Sequence, residues 1–367
     1  MKILYVTTVG LTMTFFGSII RELLDKGHTV DIACNESDSQ VPDCYRDWGC
    51  GIHRIDCVRT PFAAGNARAV GQIRRLVREN GYGIVHCHTP IAAACTRLAC
   101  KDLRKEGVRV FYTAHGFHFY KGAPLKSWLL YYPIEKLCAH FTDTLITINR
   151  EDYALAKRKM KARQVVYVPG VGIDVDKFRN TVVDRPAKRK ELGIPEDAFL
   201  LLSVGELNEN KNHQIVIRAL AELNDPSIHY AIAGNGALAE YLTALAEQLS
   251  VADRVHLLGY RRDVAELYKT ADVDVFPSIR EGLGLAAIEG MAAGMPLICS
   301  DNRGTRDYAV NGMNALVCNN VGGYAEAISC LRVDHQLREE LGRAGSQSAE
   351  RFSVGEVNRE MLRMYGE

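Results

Sequence analysis

Short apolar runs recur along this chain, separated by longer stretches whose apolar positions fall three and four residues apart. The runs near 2–7, 29–33, 84–88, 109–113 and 144–148 predict strands in the first half. Helices are expected at 17–26, 68–80, 91–106, 125–141 and 150–161. In the second half the strands are expected at 199–204, 228–233, 255–258, 273–276 and 296–299, with helices between them. Such alternation predicts an α/β protein with parallel sheets covered by helices on both faces. Residues 166–196 break the rhythm with Pro169-Gly170-Val171-Gly172-Ile173-Asp174, a charged run and Pro195, so a linker is expected there. A second break at Ser353-Val354-Gly355 precedes a final helix near 355–365. The expected organisation is two doubly wound domains, 1–168 and 169–352, with 353–367 packing back on the first. Two such domains would face each other across a cleft and bind ligands at the carboxyl ends of their strands.

Composition narrows the class. With 367 residues, 47% apolar and 24% charged, the chain can bury two ordinary cores and does not read as disordered. No apolar stretch approaches bilayer-spanning length, and the strand-like opening Lys2–Thr7 leads us to expect no signal peptide. The eleven cysteines lack paired CxxC spacing, and several, such as Cys34 and Cys299, end apolar runs; reduced, buried thiols are expected. A net charge of +1 conceals a division, because residues 1–165 hold 24 Lys+Arg against 15 Asp+Glu and the remainder is acidic. Ordinary solvated surface explains much of that; an anionic membrane or phosphorylated acceptor facing the first half would explain the rest.

The most informative chemistry lies in Glu281-Gly282-Leu283-Gly284-Leu285-Ala286-Ala287-Ile288-Glu289. A strand, Val273–Ser278, runs into it and a helix follows through Ala293. Two glycines at that junction let backbone N–H groups approach an anion, and the helix start adds positive partial charge. A diphosphate held there would have a carboxylate towards each end, which suits a nucleotide sugar. For either glutamate alone, helix capping or a solvated face is the plainer reading. Lys211, following strand 199–204, would reach the diphosphate as a point charge, although a lysine in a polar loop is usually surface.

Other segments admit more than one reading. Gly234-Asn235-Gly236 with Ala239 satisfies G-x-G-x-x-A, and Asp253 lies where a dinucleotide enzyme keeps its ribose-binding acid. The pattern follows the second strand of its half instead of the first, so a tight turn near a nucleobase is expected. Gly259-Tyr260-Arg261-Arg262 would complete that pocket, or be a plain surface loop. His115 ends the fourth expected strand, with His118 three residues on; a lone histidine beside an apolar segment is more often structural. His86-Cys87-His88 imitates a metal motif without a remote ligand pair, and Asp272-Val273-Asp274 lies inside an expected strand, so no metal is expected at either. Residues 125–141 are rich in apolar and interfacial aromatic side chains bordered by Lys121 and Lys126, suiting either a core face or a membrane surface.

Taken together, the chain resembles the retaining GT-B glycosyltransferases of family 4, especially bacterial capsule and exopolysaccharide members. The resemblance spans nearly the whole chain. It rests on the E-x7-E pair Glu281 and Glu289, on Pro169–Asp174, and on Val204-Gly205 through Lys211-Asn212. Ala233–Gly236 and Thr113–Tyr120 complete it. It implies a GT-B fold of two Rossmann-like domains, the first for acceptor and the second for nucleotide sugar. It further implies that Glu289 binds ribose, Glu281 binds the donor sugar, and His115 lies against the transferred sugar, so that His115, Glu281 and Lys211 form the catalytic set. The donor-binding set is then Gly10, Gly205, Glu206, Asn212, Gly234, Asn235, Gly236, Tyr260, Arg261, Gly282, Leu283, Gly284, Leu285 and Glu289. One departure stands out: Glu206 follows Gly205 where many members have an arginine, and Arg261, Arg262 and Arg280 are the candidate replacements.

The resemblance implies transfer of a hexosyl or N-acetylhexosaminyl group from a UDP-sugar, without cofactor or metal, to a sugar hydroxyl on a polyprenyl-diphosphate-linked or oligosaccharide acceptor. It also implies a cytoplasmic protein attached peripherally to the inner face of an anionic membrane, with no nucleic-acid partner. A UDP-sugar epimerase, an NAD-dependent oxidoreductase resting on Gly234, Gly236 and Ala239, and a non-catalytic nucleotide-sugar binder are the alternatives.

Overall fold

Near-continuous apolar runs make strands that can be buried on both faces, and helices on each side complete the burial. The computed structural model describes residues 1–366 and divides into two units: Met1–Val171 with the segment from Val357 on, and Gly172–Glu356. Among the described residues, the first unit's strands are β1 (Lys2–Val9), β2 (Thr29–Asn35), β3 (Ile52–Arg54), β4 (Ile84–His88), β5 (Arg109–Ala114), β6 (Thr144–Thr147) and β7 (Gln164–Tyr167). They form one parallel sheet in the order β3-β2-β1-β4-β5-β6-β7. The second unit's strands are β8 (Phe199–Val204), β9 (Ile228–Ala233), β10 (Val255–Gly259), β11 (Val273–Phe276), β12 (Leu297–Ser300) and β13 (Leu316–Cys318), in the order β10-β9-β8-β11-β12-β13. Each sheet therefore winds outward in two directions from a central pair, β1/β4 in one and β8/β11 in the other. Connections leave such a pair towards opposite sides and open a crevice at the strands' carboxyl ends.

Period-two alternation sorts the first unit's core onto two faces. Leu4 and Val6 of β1 join one apolar cluster with Val85, Val110 and Leu145. Ile3 and Tyr5 join the other, which is covered by Ile19, Ile20 and Leu23 and by Val357, Met361, Leu362 and Tyr365 of the helix Val354–Tyr365. The last helix is thus part of the first unit's core.

Three strands were not foreseen. β3, β7 and β13 are three or four residues long and lie at sheet edges, where half-burial weakens the hydrophobic signal. As a result His115 follows the fifth strand in chain order, not the fourth. The stretch expected as linker, 166–196, contains the end of β7 and two short helices, Val175–Asn180 and Arg185–Glu191. Asp174 and Asp184 cap them, accepting from Lys177 N and Ala187 N at 2.9 and 3.1 Å. The charged run hid the cap signals. Arg189 in the second helix is buried and bonds Asp272 at 2.8 Å, and Asp272 also accepts from Leu200 N, so this acid is structural.

Candidate active site

In the second unit the loops after β8 and β11 are stitched together at the switch point. Ile279 N donates to Asn210 O at 2.8 Å, and Asn210 Nδ2 to Arg280 O at 2.9 Å. This brings Lys211 and Glu281 into contact, with Nζ 2.7 Å from Oε1 and the ammonium 5.1 Å from the centroid of the Phe276 ring. Both side chains are partly exposed, at 21% and 15%. A half-buried ammonium–carboxylate pair at the carboxyl end of a parallel sheet can exchange partners with an anionic, hydroxyl-bearing ligand. Asn212, next to Lys211, adopts a left-handed backbone with φ of 53°.

Beyond Glu281 the chain turns through Gly284, whose φ is 92°; a Cβ there would lie 2.8 Å from the Phe276 ring and 2.9 Å from the Tyr308 hydroxyl. Only glycine fits that turn. The helix Leu285–Ala292 begins directly after it, with no side-chain cap on its N-terminus among the described residues. Its first N–H groups have no intrahelical acceptor and carry the positive end of the helix dipole. Leu283 is buried and Leu285 half-buried. Glu289 is the fifth helical residue, little more than one turn beyond the glycine turn. Burial raises its carboxyl above the ordinary range, while Lys177 pulls it down.

Two contributors were missed by sequence reasoning. Arg303 is buried and donates from Nε to Glu281 O at 3.1 Å. Its neighbour Gly304 packs so closely that a Cβ would lie 2.7 Å from Leu283 O. The loop after β12 therefore cradles the Glu281–Gly284 turn, and its signal was the polar Asp301-Asn302-Arg303-Gly304 directly after an apolar run. Asp274 of β11 is buried, and its Oδ2 has no hydrogen-bond partner among the described residues. Burial, and then the Glu289 carboxylate, push it well above the ordinary carboxylate range beneath the helix. The Gly290 Cα meets it so closely that a Cβ would overlap the carboxyl.

The Gly234-Asn235-Gly236 turn has a backbone explanation. A Cβ on Gly234 would stand 1.9 Å from Gly205 O, and one on Gly236 would stand 2.3 Å from Leu207 O. These glycines let the β9 loop lie on the Gly205-Glu206-Leu207 segment, fixed by Leu207 N to Asn235 O at 2.9 Å. Asn235, Glu206 and Tyr260 are exposed. Arg261 is held between Asp263 and Glu191 at 2.5–2.8 Å and 2.6 Å, so its charge is matched within the protein. Arg262 and Arg280 are exposed.

The first unit carries Gly10 and His115. Gly10 follows β1, and a Cβ there would lie 2.5 Å from the backbone of Gln40 and Val41. His115 Nε2 is 3.1 Å from His88 Nδ1, and burial holds the His115 imidazole down to about 4. Both nitrogens of His86 are taken, by the Tyr365 hydroxyl at 2.5 Å and Thr113 Oγ1 at 2.8 Å. Beside the β1/β4 switch point a cavity of about 310 Å³ is lined by Thr8, Thr12, Arg59, Thr89, His118 and Tyr131. The His118 and Tyr131 rings stack there at 4.4 Å. The expected site residues thus fall into two sets, one per unit: Lys211, Glu281, the 282–285 turn and Glu289 in the second, Gly10 and His115 in the first.

Comparison with known proteins agrees with this arrangement. Residues 13–170 match the family described as glycosyl transferase 4-like domain, and 184–348 match glycosyl transferases group 1. EpsD of Bacillus subtilis (strain 168), named as a glycosyltransferase, is 40% identical over 84% of this chain and 82% of its own. An Escherichia coli UDP-Gal:alpha-D-GlcNAc-diphosphoundecaprenol alpha-1,3-galactosyltransferase is 30% identical over 73% of this chain and 71% of its own. Among solved structures, Anabaena Alr3699/HepE in complex with UDP and glucose superposes with a TM-score of 0.84 at 18% identity, each chain fully covered. WaaG, a glycosyltransferase involved in lipopolysaccharide biosynthesis, superposes at 0.76 and 19%, with 99% of each chain covered. The two doubly wound sheets, both family matches and the shared identity with EpsD place this chain in the family-4-like glycosyltransferases of GT-B fold.

Proposed function

We propose that this glycosyltransferase moves a hexosyl or N-acetylhexosaminyl group from a UDP-sugar to a sugar hydroxyl of a polyprenyl-diphosphate-linked acceptor, with retention, in exopolysaccharide synthesis. The observation that carries the reading is the Lys211–Glu281 pair at the β8/β11 switch point, beside the uncapped start of the helix Leu285–Ala292. An ammonium and a helix dipole suit a diphosphate, and a carboxylate released from Lys211 suits sugar hydroxyls. Glu289, one turn in, would accept from ribose. The named activity of the Escherichia coli relative and the UDP and glucose in HepE support this choice of donor and acceptor.

In the proposed reaction the glycosidic C–O bond to UDP breaks and its electron pair stays on the β-phosphate oxygen. Lys211 and the turn amides stabilise that charge, so no divalent cation is needed; a single such donor contributes on the order of 2–4 kcal/mol to the barrier. The acceptor hydroxyl attacks the same face, forming the new C–O bond, and its proton passes to the departing phosphate. His115 would act on the transferred sugar. The cavity at the β1/β4 switch point, with the His118–Tyr131 stack and Arg59, offers an apolar ring face and a cation for the acceptor.

Membrane attachment has a structural candidate. On the helix Leu125–Ala139, Leu125, Leu129, Pro133 and Leu137 are exposed at four-residue spacing, flanked by Lys126 and Lys136. Among the described residues no helix is long and apolar enough to cross a membrane, and such a stripe suits peripheral attachment at the inner face. The test is incubation with radiolabelled UDP- and other nucleotide sugars and polyprenyl-diphosphate-linked acceptors in EDTA, with the product's anomeric linkage read by NMR. Transfer with retention from a UDP-sugar supports the reading; incorporation from none of the donors refutes it, and isomerised donor without acceptor would indicate an epimerase.

A further inference from the structure

His88 closes β4 and is fully enclosed. Its ring lies against Phe16 with centroids 4.1 Å apart, against His86 at 4.2 Å and against Tyr5 at 5.4 Å. The strand end around it is over-determined. Thr89 takes a φ of 64°, costly for a β-branched residue, and is held by its contact with the Thr8 hydroxyl at 2.7 Å. His86, on the same side of the strand, is pinned at both nitrogens by Thr113 and Tyr365. Among the described residues the only hydrogen bond of the His88 ring is Nδ1 to His115 Nε2 at 3.1 Å, and the buried His88 Nε2 has no partner there.

That geometry constrains one proton. Two neutral imidazoles joined Nδ1 to Nε2 share a single N–H between them. If His115 donated it, His88 would carry its own proton on the buried Nε2, an N–H with no acceptor among the described residues. If His88 donates, the enclosed Nε2 is a bare lone pair and His115 carries its proton on Nδ1. Orphaned buried N–H groups are the rarer and costlier outcome. His115 is partly exposed, and no described residue bonds its Nδ1. Burial depresses both imidazoles, which keeps the pair neutral at physiological pH.

We infer that His88 is a positioning residue that locks His115 in the Nδ1–H form, so that His115 offers its substrate a fixed hydrogen-bond donor. This rests, for its catalytic consequence, on the proposal that His115 acts on the transferred sugar. A neutral donor of fixed direction suits a sugar hydroxyl or ring oxygen, and it cannot serve as a general base through Nδ1.

Long-range proton–nitrogen NMR of histidine-labelled protein reads the tautomer directly and needs no turnover. His115 is expected as Nδ1–H in the wild type and as the ordinary Nε2–H form in His88→Phe, which preserves the ring packing and removes the donor. His88→Asn keeps an N–H near the position of Nδ1 and should restore the Nδ1–H form. Where turnover is measured, His88→Phe should lower kcat about tenfold to a hundredfold with little change in KM for the donor, and His88→Asn should recover most of it. An Nε2–H His115 in the wild type overturns the inference whatever the enzyme's substrate. An Nδ1–H His115 whose loss in His88→Phe leaves kcat unchanged overturns the positioning role. Absence of any glycosyl transfer by the wild type refutes the proposed function and leaves the tautomer result to decide this one.

Discussion

At the residue scale, the Lys211–Glu281 contact does two things: it fixes both side chains, and it leaves each with a charge that a ligand can claim. Lys211→Met should lower kcat by about a hundredfold or more in steady-state kinetics, because in the proposed reaction the leaving diphosphate loses its ammonium. Unchanged kcat would remove Lys211 from the chemistry. Asp274 makes a different prediction. Its carboxyl is held well above the ordinary range, so it favours the fold while protonated, and that contribution is lost as pH rises through its folded value. Asp274→Asn, which copies the protonated acid, should raise the melting temperature, and more at pH 6 than at pH 4, because the unfolded carboxyl ionises from about 3.9 upward. An equal or opposite effect would mean Asp274 is ionised in the fold. Glu281, Glu289 and Lys211 stand out as candidates because two acids around a Gly-x-Gly turn, with a lysine after strand 199–204, make a pattern along the chain, and the Lys211–Glu281 contact brings two of them together. Arg303 and Asp274 did not stand out this way, because what marks them is their surroundings: Arg303 donates to Glu281 O, and Asp274 Oδ2 has no hydrogen-bond partner among the described residues.

Among the elements, the turn Glu281–Gly284 and the helix it opens are the unit on which the site depends. Gly284→Ala adds a Cβ against Phe276 at a positive φ, and should destabilise the second unit by about 1–3 kcal/mol, read as a lower urea midpoint. A midpoint unchanged within error would show that the turn can relax. The helix Leu125–Ala139 carries the membrane prediction: Leu125→Ser with Leu129→Ser should reduce flotation with anionic vesicles and leave the melting temperature within about 2 °C, since both side chains are exposed. Equal flotation of both proteins would assign attachment elsewhere. Strands in sheet centres were readable from apolar runs because both faces are buried, whereas β3, β7 and β13 are half-buried edges without that signature. The helices inside 166–196 were hidden because their charged faces resemble linker, and only the caps Asp174 and Asp184 mark them.

For the whole molecule, the fold class was legible because strand and helix periodicities alternate across the entire length, and parallel winding follows from that alternation. The second unit's Gly234 and Gly236 show the opposite case: a motif that suggested a ligand is required by the packing of two loops. Stability should carry the mark of the buried His86 and His213 and the half-buried His115. His86 and His115 titrate near 3 and 4 in the fold, against about 6.5 when unfolded, and His213 near 4 adds to them. Below pH 6.5 the unfolded chain binds protons that the fold refuses, so their stabilisation is intact above that pH and declines progressively towards pH 4. A melting temperature no lower at pH 5 than at pH 7 would contradict the neutral state of these histidines. The central claim, that the β8/β11 switch point holds a nucleoside diphosphate, is tested most directly by calorimetric titration of UDP in EDTA into wild type, Lys211→Met and Glu289→Gln. We predict saturable binding by the wild type, weakened about tenfold or more in each variant. Absent heat from the wild type, or equal affinity in all three, would contradict it.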